Sequence, residues 1–171
     1  QVKKAGTVNP VFLLDEIDRR AGLIADCTLL GFAAFFHDAV YEPLARDNEE
    51  RSAEWARREL SALSEPRADA VAALIVKTKS HHAGDAAPDE ALFLDMDFAI
   101  LGAPRETYET YADNIRAEYA AVPEDQFRAG RAAFLKGVLA QPRMFRTDVY
   151  EAEFGDRARA NLAWEIGRLG A

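Results

Sequence analysis

Apolar residues recur at steps of three and four along most of the chain, which is the spacing of one face of an α-helix. Ala, Leu, Glu and Arg, which favour helices, are frequent, whereas Asn-Gly and Asp-Gly hairpin turns are missing. The pattern predicts helices over 11–21, 26–41, 48–63, 67–80, 89–101, 105–122, 124–139 and 150–169, with 89–101 either one bent helix or two. We expect an all-α fold, a single domain of seven or eight helices around one core.

Prolines mark the expected helix ends, because a proline in the first turn loses no hydrogen bond and a proline further along stops the helix. Helix starts are predicted at Pro66, Pro88, Pro104 and Pro123, and helix stops at Pro43 and Pro142.

The segment 26–41 is apolar almost all round, so its helix is expected at the centre of the fold. Cys27 is the only cysteine, which excludes an intrachain disulfide and a cysteine-based zinc site. Because it precedes the apolar run, Cys27 is expected to be a buried, inert thiol.

Composition and charge narrow the classes of protein. Of 171 residues, 49% are hydrophobic, which excludes disorder as the default state. The net charge of −8 argues against a general nucleic-acid binder, although a local pocket can still hold an anionic substrate. The longest strongly apolar stretch, 29–36, is too short to span a bilayer, and no signal peptide is visible. We expect a cytoplasmic protein without membrane or nucleic-acid partners.

Two short segments place acidic groups among apolar residues. His37-Asp38 lies near the end of the apolar helix, where an ionised carboxylate is costly unless it is paired, hydrogen-bonded or bound to a metal. Asp95 and Asp97 interrupt another apolar run, and they lie roughly 200° apart on a helix, so at least one should point inward. The structural alternative for His37-Asp38 is that both side chains form backbone hydrogen bonds. The structural alternative for Asp95 and Asp97 is that one caps a helix and the other lies on the surface.

Two further polar segments have structural explanations when each is taken alone. Asp47 and Glu50 have the spacing of a helix capping box. The segment 78–82 ends in His81 and His82, which with His37 are the only histidines. A histidine pair in a surface loop is the simpler interpretation of that segment.

Taken together, these segments resemble the HD superfamily of metal-dependent phosphohydrolases, and more narrowly the bacterial predicted metal-dependent HD phosphohydrolases. The resemblance covers nearly everything from Val11 onward. It is carried by the segments 34–41, 47–53, 78–81, 94–102, 115–119 and 158–162, with Tyr108 and Tyr111. It implies an HD-type helical bundle that hydrolyses a small phosphorylated metabolite or nucleotide with a metal-activated water.

The superfamily's metal pattern is His, then His-Asp, then Asp. His37 and Asp38 match the middle pair, and Asp97 best matches the final aspartate, with Asp95 as the alternative. The resemblance also implies that His81, and not His82, borders the same cavity and binds a second metal or the phosphate. Imidazole and carboxylate ligands suit Mn, Fe, Ni, Zn, Co or Mg, and the ligand set does not choose among them.

The phosphate of such a substrate needs a cation. The candidates are Lys79, Arg116, Arg128 and Arg131. Arg116 is preferred because it lies beside the tyrosine-bearing face of its helix, and its structural alternative is an ion pair with Glu118 or another acid. Glu49 is a candidate base or partner of His37, with a purely structural role in the capping turn as the alternative.

The first histidine of the pattern is missing, because residues 1–36 contain none. In the similar proteins a His-rich stretch precedes a helix like the one at Val11, whereas here Asn9-Pro10 leads directly into it. We therefore expect that Pro10 and Val11 are not neighbours in the protein and that a ligand-bearing loop separates them. A continuous chain there would favour a degenerate HD-fold module that binds a ligand or partner without turnover.

Overall fold

The computed structural model describes residues 10–42, 44–80 and 85–170. Within these ranges the chain is all-α, as predicted, with eight α-helices, three short 3-10 helices and no β-strand. The helices are α1 (Pro10–Arg19), α2 (Cys27–Phe36), α3 (Asn48–Ala62), α4 (Ala68–Lys77), α5 (Pro88–Phe98), α6 (Arg105–Glu118), α7 (Glu124–Leu139) and α8 (Asp148–Leu169). None of the helices in these ranges has the length and apolar character needed to cross a bilayer.

The proline signals agree with the observed helix starts. Helix α5 begins at Pro88, and Pro104 and Pro123 immediately precede α6 and α7. The segment 89–101 is α5 followed by a 3-10 helix, Ala99–Gly102. Helix α2 ends at Phe36, five residues earlier than predicted, so His37 is its capping residue and Asp38 lies beyond it.

The helices fall into two compact units. The N-terminal unit is Val8–Asp97, and the C-terminal unit comprises the chain from Phe98 onward. Each unit has buried apolar residues of its own, and each is described by itself. The single-domain organisation expected from the sequence stays a prediction.

Helix α2 is central to the N-terminal unit, as predicted, because it packs against α1, α3 and α4. Leu30, Ala33 and Ala34 are fully buried in these contacts. The helix is not covered all round, however, since Phe35 is 64% exposed. The prediction of a buried Cys27 is wrong: this residue is exposed, because it lies one turn before Leu30 and so beyond the end of the core.

Helices α2 and α5 are fixed to each other where they begin. The carboxylate of Asp89, in the first turn of α5, accepts hydrogen bonds from the backbone N–H groups of Ala25 (2.9 Å) and Asp26 (2.8 Å). Asp26 in turn caps α2 by accepting from the N–H of Leu29 (2.9 Å), and it pairs with Arg67 Nε (2.7 Å). The hydrogen bonds from Arg67 and Leu29 lower the pKa of Asp26.

Helix α8 holds the 3-10 helix Ala99–Gly102 within the C-terminal unit. Asn161 Nδ2 donates to the carbonyls of Leu101 (2.8 Å) and Ala103 (2.9 Å), and Arg157 Nε donates to that of Gly102 (2.9 Å). A Cβ on Gly102 would lie 2.6 Å from the Cβ of Phe154 and 2.9 Å from its carbonyl oxygen. The close approach of α8 therefore requires glycine at this position.

A charged network is buried between α6, α7 and α8. Arg131 binds both carboxylate oxygens of Glu165, Nε at 2.8 Å and Nη2 at 3.2 Å, and the hydroxyl of Tyr108 donates to Oε2 at 2.5 Å. Glu165 is 3% exposed and Tyr108 fully buried, so the ion pair is shielded from water. Burial, followed by the hydrogen bond to Glu165, raises the pKa of Tyr108.

Gly102→Ala is expected to lower the free energy of unfolding by about 1–3 kcal/mol, because the new methyl group overlaps Phe154 in a packed site. The measurement is denaturant unfolding. Gly130→Ala is the matched control: it lies inside α7 with no heavy atom within 4 Å of the new Cβ, and it should stabilise the protein by about 0.5–1 kcal/mol. Equal effects of the two substitutions would contradict the close packing of α8 on Gly102.

Tyr108→Phe should destabilise the protein at neutral pH by about 1.5–3 kcal/mol, since Glu165 loses a charge-assisted hydrogen bond. The pKa of Tyr108 is raised on folding, so its stabilising contribution is present below the unfolded pKa of about 10 and is lost above it. Above pH 10, wild type should lose about 1.4 kcal/mol per pH unit more than the variant. Unfolding curves between pH 7 and 11 test this, with Tyr119→Phe as the control; parallel pH profiles would refute it.

Candidate metal centre

His37 is buried at the C-terminal end of α2, where its side chain is 2% exposed. Its Nδ1 lies 2.9 Å from the carbonyl oxygen of Ala34. A carbonyl only accepts, so Nδ1 carries a proton, and the neutral tautomer with this bond has its lone pair at Nε2. The ring of Phe93 stands edge-on to the imidazole at a centroid distance of 6.3 Å.

The Nε2 atom of His37 faces two carboxylates. It lies 3.4 Å from Asp38 Oδ2 and 3.5 Å from Asp97 Oδ1, yet it is buried and has no hydrogen-bond partner among the described residues. Both nitrogen–oxygen distances are within the predicted limit of about 5 Å, and the convergence of all three side chains stays a prediction. Buried polar atoms are nearly always hydrogen-bonded, so a lone nitrogen between two acids calls for a physical explanation.

These residues fit the chemistry of a divalent ion. Two ligands about 2.0–2.2 Å from one ion lie about 2.8–3.6 Å apart at octahedral to tetrahedral angles, a range that includes both nitrogen–oxygen distances. A ligating imidazole also commonly donates its other N–H to a backbone carbonyl, as His37 does to Ala34. In the described part of the chain, however, no group of three or more His, Cys, Asp and Glu side chains has the spacing of a complete metal site. His37, Asp38 and Asp97 therefore form a partial ligand set.

Both aspartates that the sequence offers as alternatives lie on α5. Asp97 lies beside His37, and Asp95 is 2% exposed. The expectation that at least one of them points inward is confirmed by the burial of Asp95. Asp97 is half-buried, although the two lie roughly 200° apart, and every residue from Leu92 to Met96 is buried.

The segment after Asp38 is held by side chains from α3. Ser52 Oγ accepts from the N–H of Val40 (3.0 Å) and donates to its carbonyl (3.1 Å). Asn48 Oδ1 accepts from the N–H of Glu42 (2.9 Å), and Asn48 Nδ2 donates to the carbonyl of the same residue (2.9 Å). Asn48 and Ser52 lie inside a segment of the resemblance, but the sequence predicts no role for them. The feature that could have indicated a role is their spacing, since they are two small polar residues four positions apart on a helix.

The predicted capping box is wrong. Asp47 precedes α3, but its side chain makes no capping hydrogen bond, and Glu50 is bonded to Lys79. Lys79 Nζ donates both to this carboxylate and to the carbonyl of Arg46. The hydrogen bond raises the pKa of Lys79 and lowers that of Glu50, and the nearby charge of Glu49 raises that of Lys79 further. The catalytic roles expected of Glu49 and Lys79 stay predictions.

Arg116 makes an ion pair with an acid, as its structural alternative predicts, and the other two candidate arginines also have partners in the structure. Arg116 Nε pairs with Glu124 (2.8 Å), and its Nη1 donates to the carbonyl of Tyr119 (2.7 Å). Arg128 donates to carbonyls at the end of α8, and Arg131 is bound to Glu165. Arg116 and Arg128 line a cavity of about 280 Å³ within the C-terminal unit. A phosphate-binding role for Arg116 stays a prediction.

Two predictions concern residues that would complete the set of metal ligands. His81 and His82 lie outside the described residues, so the role expected of His81 stays a prediction. Pro10 and Val11 adjoin in the sequence and both belong to α1, Pro10–Arg19. The separation expected between them stays a prediction.

The comparisons with known proteins assign no family to this chain: it matches no protein-family model, no curated protein and no solved structure.

Proposed function

We propose that His37, Asp38 and Asp97 bind a divalent metal ion and that the protein is a metal-dependent phosphohydrolase of small phosphorylated metabolites or nucleotides. One observation carries the proposal: a buried histidine nitrogen that has no hydrogen-bond partner in the described part of the chain faces two carboxylates. A cation between the three groups would satisfy the nitrogen and neutralise the acids together.

A bound divalent ion would supply a hydroxide at neutral pH and polarise a phosphoryl oxygen. Residues of the chain would orient and attract this ion. The hydrogen bond to Ala34 keeps the lone pair of His37 at Nε2, which is the form that binds a metal. Asp38 and Asp97 bring negative charge to a site with little access to water, their side chains being 25% and 12% exposed, so their attraction for a cation is weakly screened.

A second candidate function is a ligand-binding or interaction module without turnover. One observation favours it: residues 1–36 contain no histidine to complete the HD pattern. In this case the cluster would retain the superfamily's shape without its complete ligand set.

Metal analysis and a phosphatase panel separate the two functions. The purified chain is stripped of metal, reloaded in turn with Mn, Fe, Ni, Zn, Co and Mg, and assayed against nucleotides and sugar phosphates. Stoichiometric metal with metal-dependent release of phosphate supports the phosphohydrolase. Metal-free protein, or metal without turnover on the panel, supports the module.

Asp38→Ala is expected to abolish metal binding and hydrolysis without lowering the stability of the metal-free protein. Removing one carboxylate relieves its repulsion with Asp97 when no cation is present, so the metal-free variant should melt at the wild-type temperature or above it. Thermal unfolding and metal analysis check this together. Asp156→Ala, at an exposed position inside α8, is the control for the change of charge. A large loss of metal-free stability would instead make Asp38 a structural hydrogen-bond centre and favour the non-enzymatic module.

A further inference from the structure

The position of Asp38 depends on the chain that follows it. Helix α2 fixes His37, whose N–H bonds to the carbonyl of Ala33 at 2.8 Å, but the helix has ended before Asp38. One turn-type bond follows, from the N–H of Ala39 to the carbonyl of Phe36 at 2.9 Å. Beyond this bond, the path of the chain is set by other elements.

Two side chains of α3, Asn48 and Ser52, hold the chain that follows Asp38. We call these two residues the turn clamp. They lie four residues apart on one face of α3. Each bonds to both the N–H and the carbonyl of a single residue, Val40 for Ser52 and Glu42 for Asn48. The two side chains thus pair with alternate residues, Val40 and Glu42, of the segment that follows Asp38.

The clamp is not needed to build α3. Asn48 is the first residue of the helix and Ser52 lies in its second turn, while Asp47 occupies the capping position. Ser52 is fully buried and Asn48 is 8% exposed, so each polar group is costly unless its partners stay in place. Since hydrogen bonds are directional, polar residues here specify the path of the segment more narrowly than alanines would.

The loop beyond the clamp is strained, which shows how firmly it is held. Leu44 has φ +74°, a left-handed conformation that favours glycine. The clamp holds Glu42 on one side of it, and Lys79 holds the carbonyl of Arg46 on the other. Strained residues persist only where the surrounding structure determines them.

We propose that Asn48 and Ser52 are positioning residues of the metal centre. By holding the chain at Val40 and Glu42, they keep the carboxylate of Asp38 3.4 Å from the Nε2 of His37. This inference rests on the proposed metal-binding function and assigns the clamp a part in it.

The test is titration of the metal-free, full-length chain with Co²⁺, followed by its visible absorption. Ser52→Ala and Asn48→Ala should each weaken Co²⁺ binding about 10–100-fold, the usual effect of losing a residue that orients a ligand. Ser61→Ala makes the same chemical change at an exposed position on α3 and should leave binding unchanged. Hydrogen exchange should show faster exchange of the Val40 amide in the first variant and of the Glu42 amide in the second.

The outcomes distinguish this role from the function on which it rests. A folded variant can exchange its clamped amide faster and still bind Co²⁺ with wild-type affinity. That result overturns the positioning role and leaves the metal centre in place. A wild-type chain that binds no Co²⁺ overturns the metal centre, and the positioning role with it. If Ser52→Ala does not fold, Asn48→Ala decides by the same criteria, because Asn48 is less deeply buried.

Discussion

The imidazole of His37 sets the main constraint on the N-terminal unit. Among the described residues its Nε2 is buried without a hydrogen-bond partner, a state that costs about 1–3 kcal/mol in an ordinary core. Two carboxylates lie within 3.5 Å of it. Hydrogen bonds between elements hold the helices and the turn that carry these three side chains.

Those contacts act at both ends of α2. At its beginning, Asp89 and Arg67 hold the turn around Asp26, so α2 and α5 start side by side. Because both helices run onward from this common anchor, the end of α2 and the end of α5 meet, with His37 beside Asp97. After the helix ends, Asn48 and Ser52 hold the chain that follows Asp38.

Glu165 of the C-terminal unit differs from His37 in how its polar atoms are satisfied. Glu165 is as buried as His37, but both of its oxygens are bonded, one to Arg131 alone and the other to Arg131 and Tyr108. A fully satisfied network of this kind stabilises a packed arrangement. His37 Nε2 has no hydrogen-bond partner among the described residues, a feature that it shares with Arg105 Nη1 of the C-terminal unit. What distinguishes His37 is that two carboxylates lie within 3.5 Å of the same nitrogen, and we take this combination as the mark of a candidate binding site.

The sequence by itself determined the helices, because helix formation is encoded in local spacing: Pro88, Pro104 and Pro123 mark helix starts through a backbone effect that needs no distant partner. It also indicated His37, Asp38 and Asp97 as candidate site residues, because acidic groups within apolar helices need a partner from another element. Tertiary structure decided the rest. Only the packing of α5 placed Asp97 beside His37 and buried Asp95. The bond of Glu50 to Lys79, the exposure of Cys27 and the clamp of Asn48 and Ser52 likewise depend on partners or core boundaries that local spacing does not report.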